Sequence, residues 1–161
     1  MAGPQHLRIY AQRRQGYIDA LATKGVAELP ELLTYSDMTV AAGTQVMQQL
    51  LALATPPDAV FGAGDSVVLG ALQVLKQRGL RVPQDVALAG FSNEGFTTIV
   101  DPPLTSVDQC CEEMGAAAVR LFLEMVRTTD RVFVSRQVVL RPRLYVRESS
   151  QRQGLVRDQT A

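Results

Sequence analysis

Helix-periodic stretches alternate with short apolar runs through the first ninety or so residues, and this alternation restricts the chain to a helix-and-strand architecture. Over 7–24, Tyr10, Tyr17, Ile18 and Leu21 recur at helical spacing, and Gly25 follows as a left-handed stop. Residues 31–35 read as a short strand. A second helix places Val46, Met47, Leu50, Leu51 and Ala54 on one face until Pro56-Pro57 ends it. Residues 58–63 are an apolar strand. Asp65 or Ser66 can cap a third helix, which carries Val67, Leu69, Leu72 and Leu75 towards Gly79; Val82-Pro83 then turns the chain into a strand over 85–90. Such an order implies a parallel sheet with right-handed crossovers, and ligands of such sheets bind beyond the carboxyl ends of the strands. The loops 62–66 and 90–95 are therefore the candidate site.

The last third has a different texture. After Pro102-Pro103, residues 108–127 predict a helix apolar nearly all round, with Cys110, Met114, Ala117, Val119, Leu121, Phe122, Met125 and Val126. It demands cover on several sides. Residues 136–140 and 143–146 alternate as strands around Pro142, which keeps them out of a central position. From 149 to 161 the chain is polar and rich in Gln and Arg, and a loose tail is expected. Because the first helix starts close to Met1, the strand that should precede it is expected to be missing and the fold incomplete.

Charge and cysteine usage exclude several functions. Sixteen basic residues balance sixteen acidic ones, so no basic stripe exists to neutralise phosphates and no polybasic segment to seek a membrane. No apolar run approaches the roughly 18 residues of a membrane span. Cys110 and Cys111 are adjacent and His6 is the lone histidine, which rules out a disulfide framework and a cysteine-histidine zinc site. No metal and no cofactor is expected, and the compartment reads as reducing.

Gly62-Ala63-Gly64-Asp65-Ser66-Val67 looks like part of a dinucleotide loop, but Val67 replaces the third glycine. Gly64-Asp65-Ser66 is one glycine short of a nucleophile elbow, and His6 precedes the serine instead of following it. Asp65, where a strand gives way to a helix, either caps amide groups or offers a carboxylate to ligand hydroxyls. Arg13 lies three positions from Tyr10 and four from Tyr17, beside the apolar stripe, where a guanidinium fork suits hydroxyl or carboxylate recognition. Cys110-Cys111 reads as core filling. The loop Phe96-Thr97-Thr98-Ile99-Val100 is too apolar for a free surface loop and suggests a partner surface.

Gly16-Tyr17-Ile18-Asp19-Ala20-Leu21, Pro57-Asp58-Ala59-Val60-Phe61, Gly64-Asp65 with Leu69-Gly70-Ala71-Leu72, Val82-Pro83-Gln84-Asp85, Gly90-Phe91 and Pro103-Leu104-Thr105-Ser106-Val107 together resemble the LacI/GalR family of bacterial regulators, from Ala2 to about Ser150. The resemblance implies a three-layer, parallel-sheet subdomain of a periplasmic-binding-protein-like (type I) fold, incomplete here. It implies that 1–107 form the second subdomain of the effector-binding core. The helix over 108–128 would cross to an absent first subdomain, 129–148 would return as strands, and 149–161 would be a flexible tail. By the same resemblance the effector contacts are Arg13, Asp65, Ser92 and Asn93, and Leu69, Leu72, Phe96, Ile99 and Val100 form a dimer interface. Many members carry Asn-Asp where this chain has Gly64-Asp65, and aspartate in place of Ser92, which points to a different ligand.

The expectation is then a cytoplasmic, homodimeric, non-enzymatic regulator core that senses a small molecule, a sugar or its derivative. It would reach operator DNA only through a headpiece absent from this chain. The alternative on the same fold is a periplasmic-type solute-binding protein of a transporter, which needs a secretory signal upstream. An enzyme using Asp65 and Arg13 ranks last, since no nucleophile is paired with a base.

Overall fold

A computed structural model describes residues 1–127 and 136–152. In chain order they form α1 (Arg8–Thr23), α2 (Val40–Leu51), β1 (Ala59–Phe61), α3 (Asp65–Gln77), β2 (Ala87–Phe91), β3 (Thr105–Asp108), α4 (Cys111–Arg127) and β4 (Arg143–Tyr145). The sheet runs β1-β2-β3-β4, with the first three strands parallel and β4 antiparallel at the edge. This is the expected α/β architecture with a mainly parallel, open sheet, and Pro142 precedes an edge strand as its missing N–H requires.

Pairing of Val60 with Leu88 and of Phe61 with Ala89 separates the two faces of the sheet. Val60 and Leu88 turn into the core with Met47, Val67, Val68, Leu75 and Leu104, every one of them buried. Burial of each such side chain contributes about 1.5–3 kcal/mol. The opposite face, with Phe61 and Phe91, is half-buried and looks towards α1. That helix buries no residue of its own.

Two helices, α2 and α3, cross at glycines. Thr39 caps α2 by accepting the Ala42 amide at 3.1 Å. A Cβ on Gly43 would lie 2.0 Å from the Val67 carbonyl oxygen, and one on Gly70 would lie 2.0 Å from that of Val40. Only glycine lets the two backbones approach so closely.

Several sequence expectations are corrected. Residues 31–35 are not a strand: Pro30–Leu32 is a 3-10 turn, set by a proline that cannot donate to a ladder, and only Tyr35 bridges to Ala2. Thr105–Asp108 is a strand that the apolar pattern does not predict, because its buried positions, Thr105 on one face and Ser106 on the other, are hydroxyl residues instead of aliphatic ones. The helix expected from 108 accordingly starts at Cys111. Residues 136–140 make no strand; Arg136, Gln137 and Val138 lie along α4 beside Ala117 and Leu121.

Nor does a loose tail begin at 149. Ser149 is fully buried, its hydroxyl donating to the Leu88 carbonyl at 2.7 Å and accepting the Thr105 amide at 2.8 Å. Arg152 donates to the Pro83 carbonyl at 2.9 Å and to Asp58 at 3.0 Å. The partners are backbone carbonyls and an acid from distant loops, so polar composition gave no sign of them. The remainder of that tail, and 128–135, lie outside the described residues. On α4 only Ala117 is buried, while Val119, Phe122, Met125 and Val126 are exposed. Among the described residues no helix is long and apolar enough to cross a membrane.

Gly70→Ala is expected to force α2 from α3 and to cost about 2–3 kcal/mol, read by urea denaturation. Gly115→Ala on α4, where a Cβ meets nothing within 4 Å, should be neutral or stabilising by up to about 1 kcal/mol. Equal effects at the two positions would refute the close-approach account.

Candidate functional site

The carboxyl ends of β1, β2 and β3 come together with one turn of α1. Arg13 reaches this end from α1. Its Nη1 donates to the Ala63 carbonyl at 2.7 Å and its Nη2 to Gln109 Oε1 at 3.1 Å. The guanidinium lies 3.7 Å from the centroid of the Phe91 ring and 5.6 Å from that of Tyr10. Burial lowers its pKa from the usual arginine range, and Tyr10 and then Asp65 partly offset that. The group stays cationic at any working pH. Two of its five N–H groups are committed to protein acceptors, which leaves three for a ligand.

Asp65 stands at the first position of α3 with no exposed surface. Gly64, before it, makes no side-chain cap, and the Asp65 carboxylate does not fold back onto its own helix. Instead Oδ1 accepts the Ser106 hydroxyl at 2.7 Å and Oδ2 accepts the Glu94 amide at 2.9 Å. A Cβ on Gly90 would sit 2.1 Å from Oδ1, so β2 passes within contact of the carboxylate only because that residue is glycine. Neither the helix cap nor an open ligand carboxylate describes Asp65 as it stands: it fastens the loop after β2 to β3.

That loop is bent sharply. Ser92 and Asn93 have φ of 125° and 52°, in the region that side chains rarely enter. Surrounding bonds hold them there: the Ser92 amide donates to the Val107 carbonyl at 2.8 Å and the Asn93 amide to Ser106 Oγ at 3.0 Å. The Ser92 hydroxyl, half-buried, has no partner among the described residues. The Asn93 side chain donates to Asp108 Oδ2 at 3.4 Å and accepts from Arg147 at 2.7 Å.

Arg13, Ser92 and Asn93 thus meet at one end of the sheet, with Asp65 buried beneath the loop. A cavity of about 70 Å³ lies nearby, lined by Arg13, Arg14, Tyr17, Leu50, Phe61 and Ala63 among others. It runs beside β1 and does not include Asp65, Ser92 or Asn93. The sequence reading missed Phe91 as the shelf for Arg13, and it missed Ser106, Asp108, Gln109 and Arg147. Recognition of β3 would have exposed the middle three, since a loop following a parallel strand belongs to the same rim.

The expected interface residues divide. Ile99 is 83% exposed, and Leu69, Phe96 and Val100 are half-buried. Leu72 is 2% exposed and sits in the core. Its place in an interface is corrected, because its face of α3 turns inward. Among the described residues no cluster of His, Cys, Asp or Glu could hold a metal ion. Cys110, buried, donates to the Arg141 carbonyl at 3.4 Å, while Cys111 is exposed.

The periplasmic binding protein-like domain family matches residues 1–150. The transcriptional repressor CytR of Escherichia coli K12 is 41% identical over 127 residues, which cover 79% of this chain and 37% of CytR. The transcriptional regulator CelR of Thermobifida fusca is 40% identical over 151 residues, 92% of this chain and 43% of CelR. The chain spans about two fifths of the length of these relatives. Among solved structures, a CelR–cellobiose complex superposes with a TM-score of 0.81 at 39% identity, covering 93% of this chain and 45% of the other. A LacI-family regulatory protein from Chloroflexus aggregans gives 0.84 at 28% identity, covering 93% and 53%. These relatives are named as regulators of transcription. The chain belongs to the periplasmic-binding-protein-like domain family, in the branch that forms the effector-binding cores of LacI/GalR-type regulators.

Proposed function

We propose that this chain is the small-molecule-sensing core of a cytoplasmic, homodimeric regulator of transcription, and that its effector is a sugar or sugar derivative held by Arg13, Ser92 and Asn93. The observation that carries the proposal is the Arg13 guanidinium, stacked on Phe91 with two N–H groups tied down and three left at the ligand-binding end of a parallel sheet. Beside it stand a hydroxyl, a carboxamide and the Asp108 carboxylate. That mixture of donors and acceptors suits a polyhydroxylated ligand, whose hydroxyls both donate and accept. The relative bound to cellobiose supports the same class. Asp65 acts in this reading by holding the loop that presents Ser92 and Asn93, not by touching the effector.

Contact with operator DNA belongs to a headpiece outside this chain, in keeping with the balanced charge. The uncovered apolar side of α4 supports its packing on a first subdomain, so that an effector in the cleft would bias how the subdomains sit.

Thermal denaturation should be followed against a panel that starts with cellobiose and includes mono- and disaccharides, sugar phosphates and sugar acids. A binder at a hundred times its Kd is expected to stabilise the chain by about 2.7 kcal/mol, and Arg13→Met should lose most of that shift. A panel without any shift, or an equal shift in Arg13→Met, would overturn the reading. For the dimer, Ile99→Glu is expected to move the light-scattering mass towards the monomer, while Lys24→Glu, at the end of α1, leaves it unchanged. A wild-type chain that is monomeric at all concentrations would contradict the interface.

A further inference from the structure

Asn93 spends both ends of its side-chain amide on protein groups from different elements. Its Nδ2 donates to Asp108 Oδ2 at 3.4 Å, and Asp108 Oδ1 in turn accepts the Cys110 amide at 2.7 Å, immediately before α4. Its Oδ1 accepts Arg147 Nη2 at 2.7 Å. The same guanidinium donates through Nη1 to the Leu104 carbonyl at 2.5 Å and to Thr97 Oγ1 at 3.3 Å.

Thr97 is fully buried and organises the 95–100 turn: its hydroxyl donates to the Glu94 carbonyl at 2.7 Å, and its own carbonyl accepts the Leu104 amide at 2.7 Å. That turn bears the exposed Ile99. Arg147 itself is well anchored. Its amide donates to Thr105 Oγ1 at 2.8 Å, and its guanidinium carbon lies 5.4 Å from the centroid of Tyr145.

We infer that Arg147 is a positioning residue that couples the Asn93 carboxamide to the Thr97 turn, so that a ligand competing for Asn93 changes the order of the 95–100 surface. The inference rests on the reading of Asn93 as an effector contact, and it adds the route by which occupancy reaches the outer turn. The physical basis is that both donors draw on one oxygen. The Asn93 carbonyl oxygen has two lone pairs, one of them taken by Arg147, and a ligand hydroxyl that takes the second draws on the same electron density and weakens the bond to Arg147. The guanidinium then redistributes between Leu104 and Thr97, which lie on the far side. A fork with two terminal nitrogens can span these partners at once; a lysine ammonium, a single point on a flexible stem, cannot.

The measurement is hydrogen exchange at the Ile99 and Val100 amides, both of which donate to the Phe96 carbonyl within the turn. It needs no ligand and uses the full chain as wild type, Asn93→Ala, Arg147→Met and the double variant. Asn93→Ala is expected to raise exchange at these two amides at least threefold in the wild-type background and to add nothing once Arg147 is Met. Arg147→Lys, the variant to use if Arg147→Met does not melt cooperatively, should likewise reduce the effect of Asn93→Ala by at least threefold.

Equal increments from Asn93→Ala with and without Arg147 would overturn the inference, because the effect would then travel along the backbone through Glu94. No change at Ile99 and Val100 in Asn93→Ala would overturn it too. Sugar binding is scored separately in the thermal panel, so loss of the coupling and loss of the effector reading are distinguishable.

Discussion

The buried Asp65 carboxylate is the constraint on which the site depends. A carboxylate removed from water is costly, by several kcal/mol after relaxation, unless hydrogen bonds replace its hydration. Here the Ser106 hydroxyl and the Glu94 amide supply them, from β3 and from the loop after β2. One side chain at the head of α3 thereby fixes two other elements at once. Gly90 makes room for it, and Ser106 has a second task, accepting the Asn93 amide at 3.0 Å. The left-handed Ser92-Asn93 bend is tolerable because its amide groups are satisfied by Val107 and Ser106.

Above that buried knot lies a layer built for recognition. Arg13 comes from α1, a helix with no fully buried residue, and it is oriented by Phe91, Ala63 and Gln109 from three different strand ends. A guanidinium restrained in this way loses less freedom on binding than one free in solvent. Family membership and this geometry converge on small-molecule sensing. The rim sets a hydroxyl, a carboxamide, a carboxylate and guanidinium groups side by side, and Arg147 joins Asn93 to Thr97 of the exposed turn.

The sequence carried the alternation of α2, β1, α3 and β2, because each has a clean apolar period or a short apolar run closed by glycine or proline. It carried Arg13, whose spacing from two tyrosines set it beside the apolar stripe. It did not carry β3, whose buried Thr105 and Ser106 hydroxyls make sense only once Arg147, Ser150 and Asp65 are in place. Nor could periodicity reveal that Ser149 and Arg152 bond to carbonyls sixty or more residues away. Leu72 shows the opposite limit: a helical face can be identified as apolar from spacing, but whether it meets its own core or a partner depends on the neighbouring α2. Asp65 is the sharpest case. A residue at the head of a helix suggests a cap or a ligand, and its true partners lie 29 and 41 residues downstream.

The most direct test of this account is the exchange rate of the Glu94 amide in Asp65→Ala, read against the Gly62 and Ala87 amides, which lie in the β1–β2 pairing and do not touch the carboxylate. If Asp65 holds the loop, protection at Glu94 falls at least tenfold, while Gly62 and Ala87 change by no more than the global loss of stability. Unchanged protection at Glu94, or a uniform loss at all three amides, would contradict the central place given to this buried carboxylate.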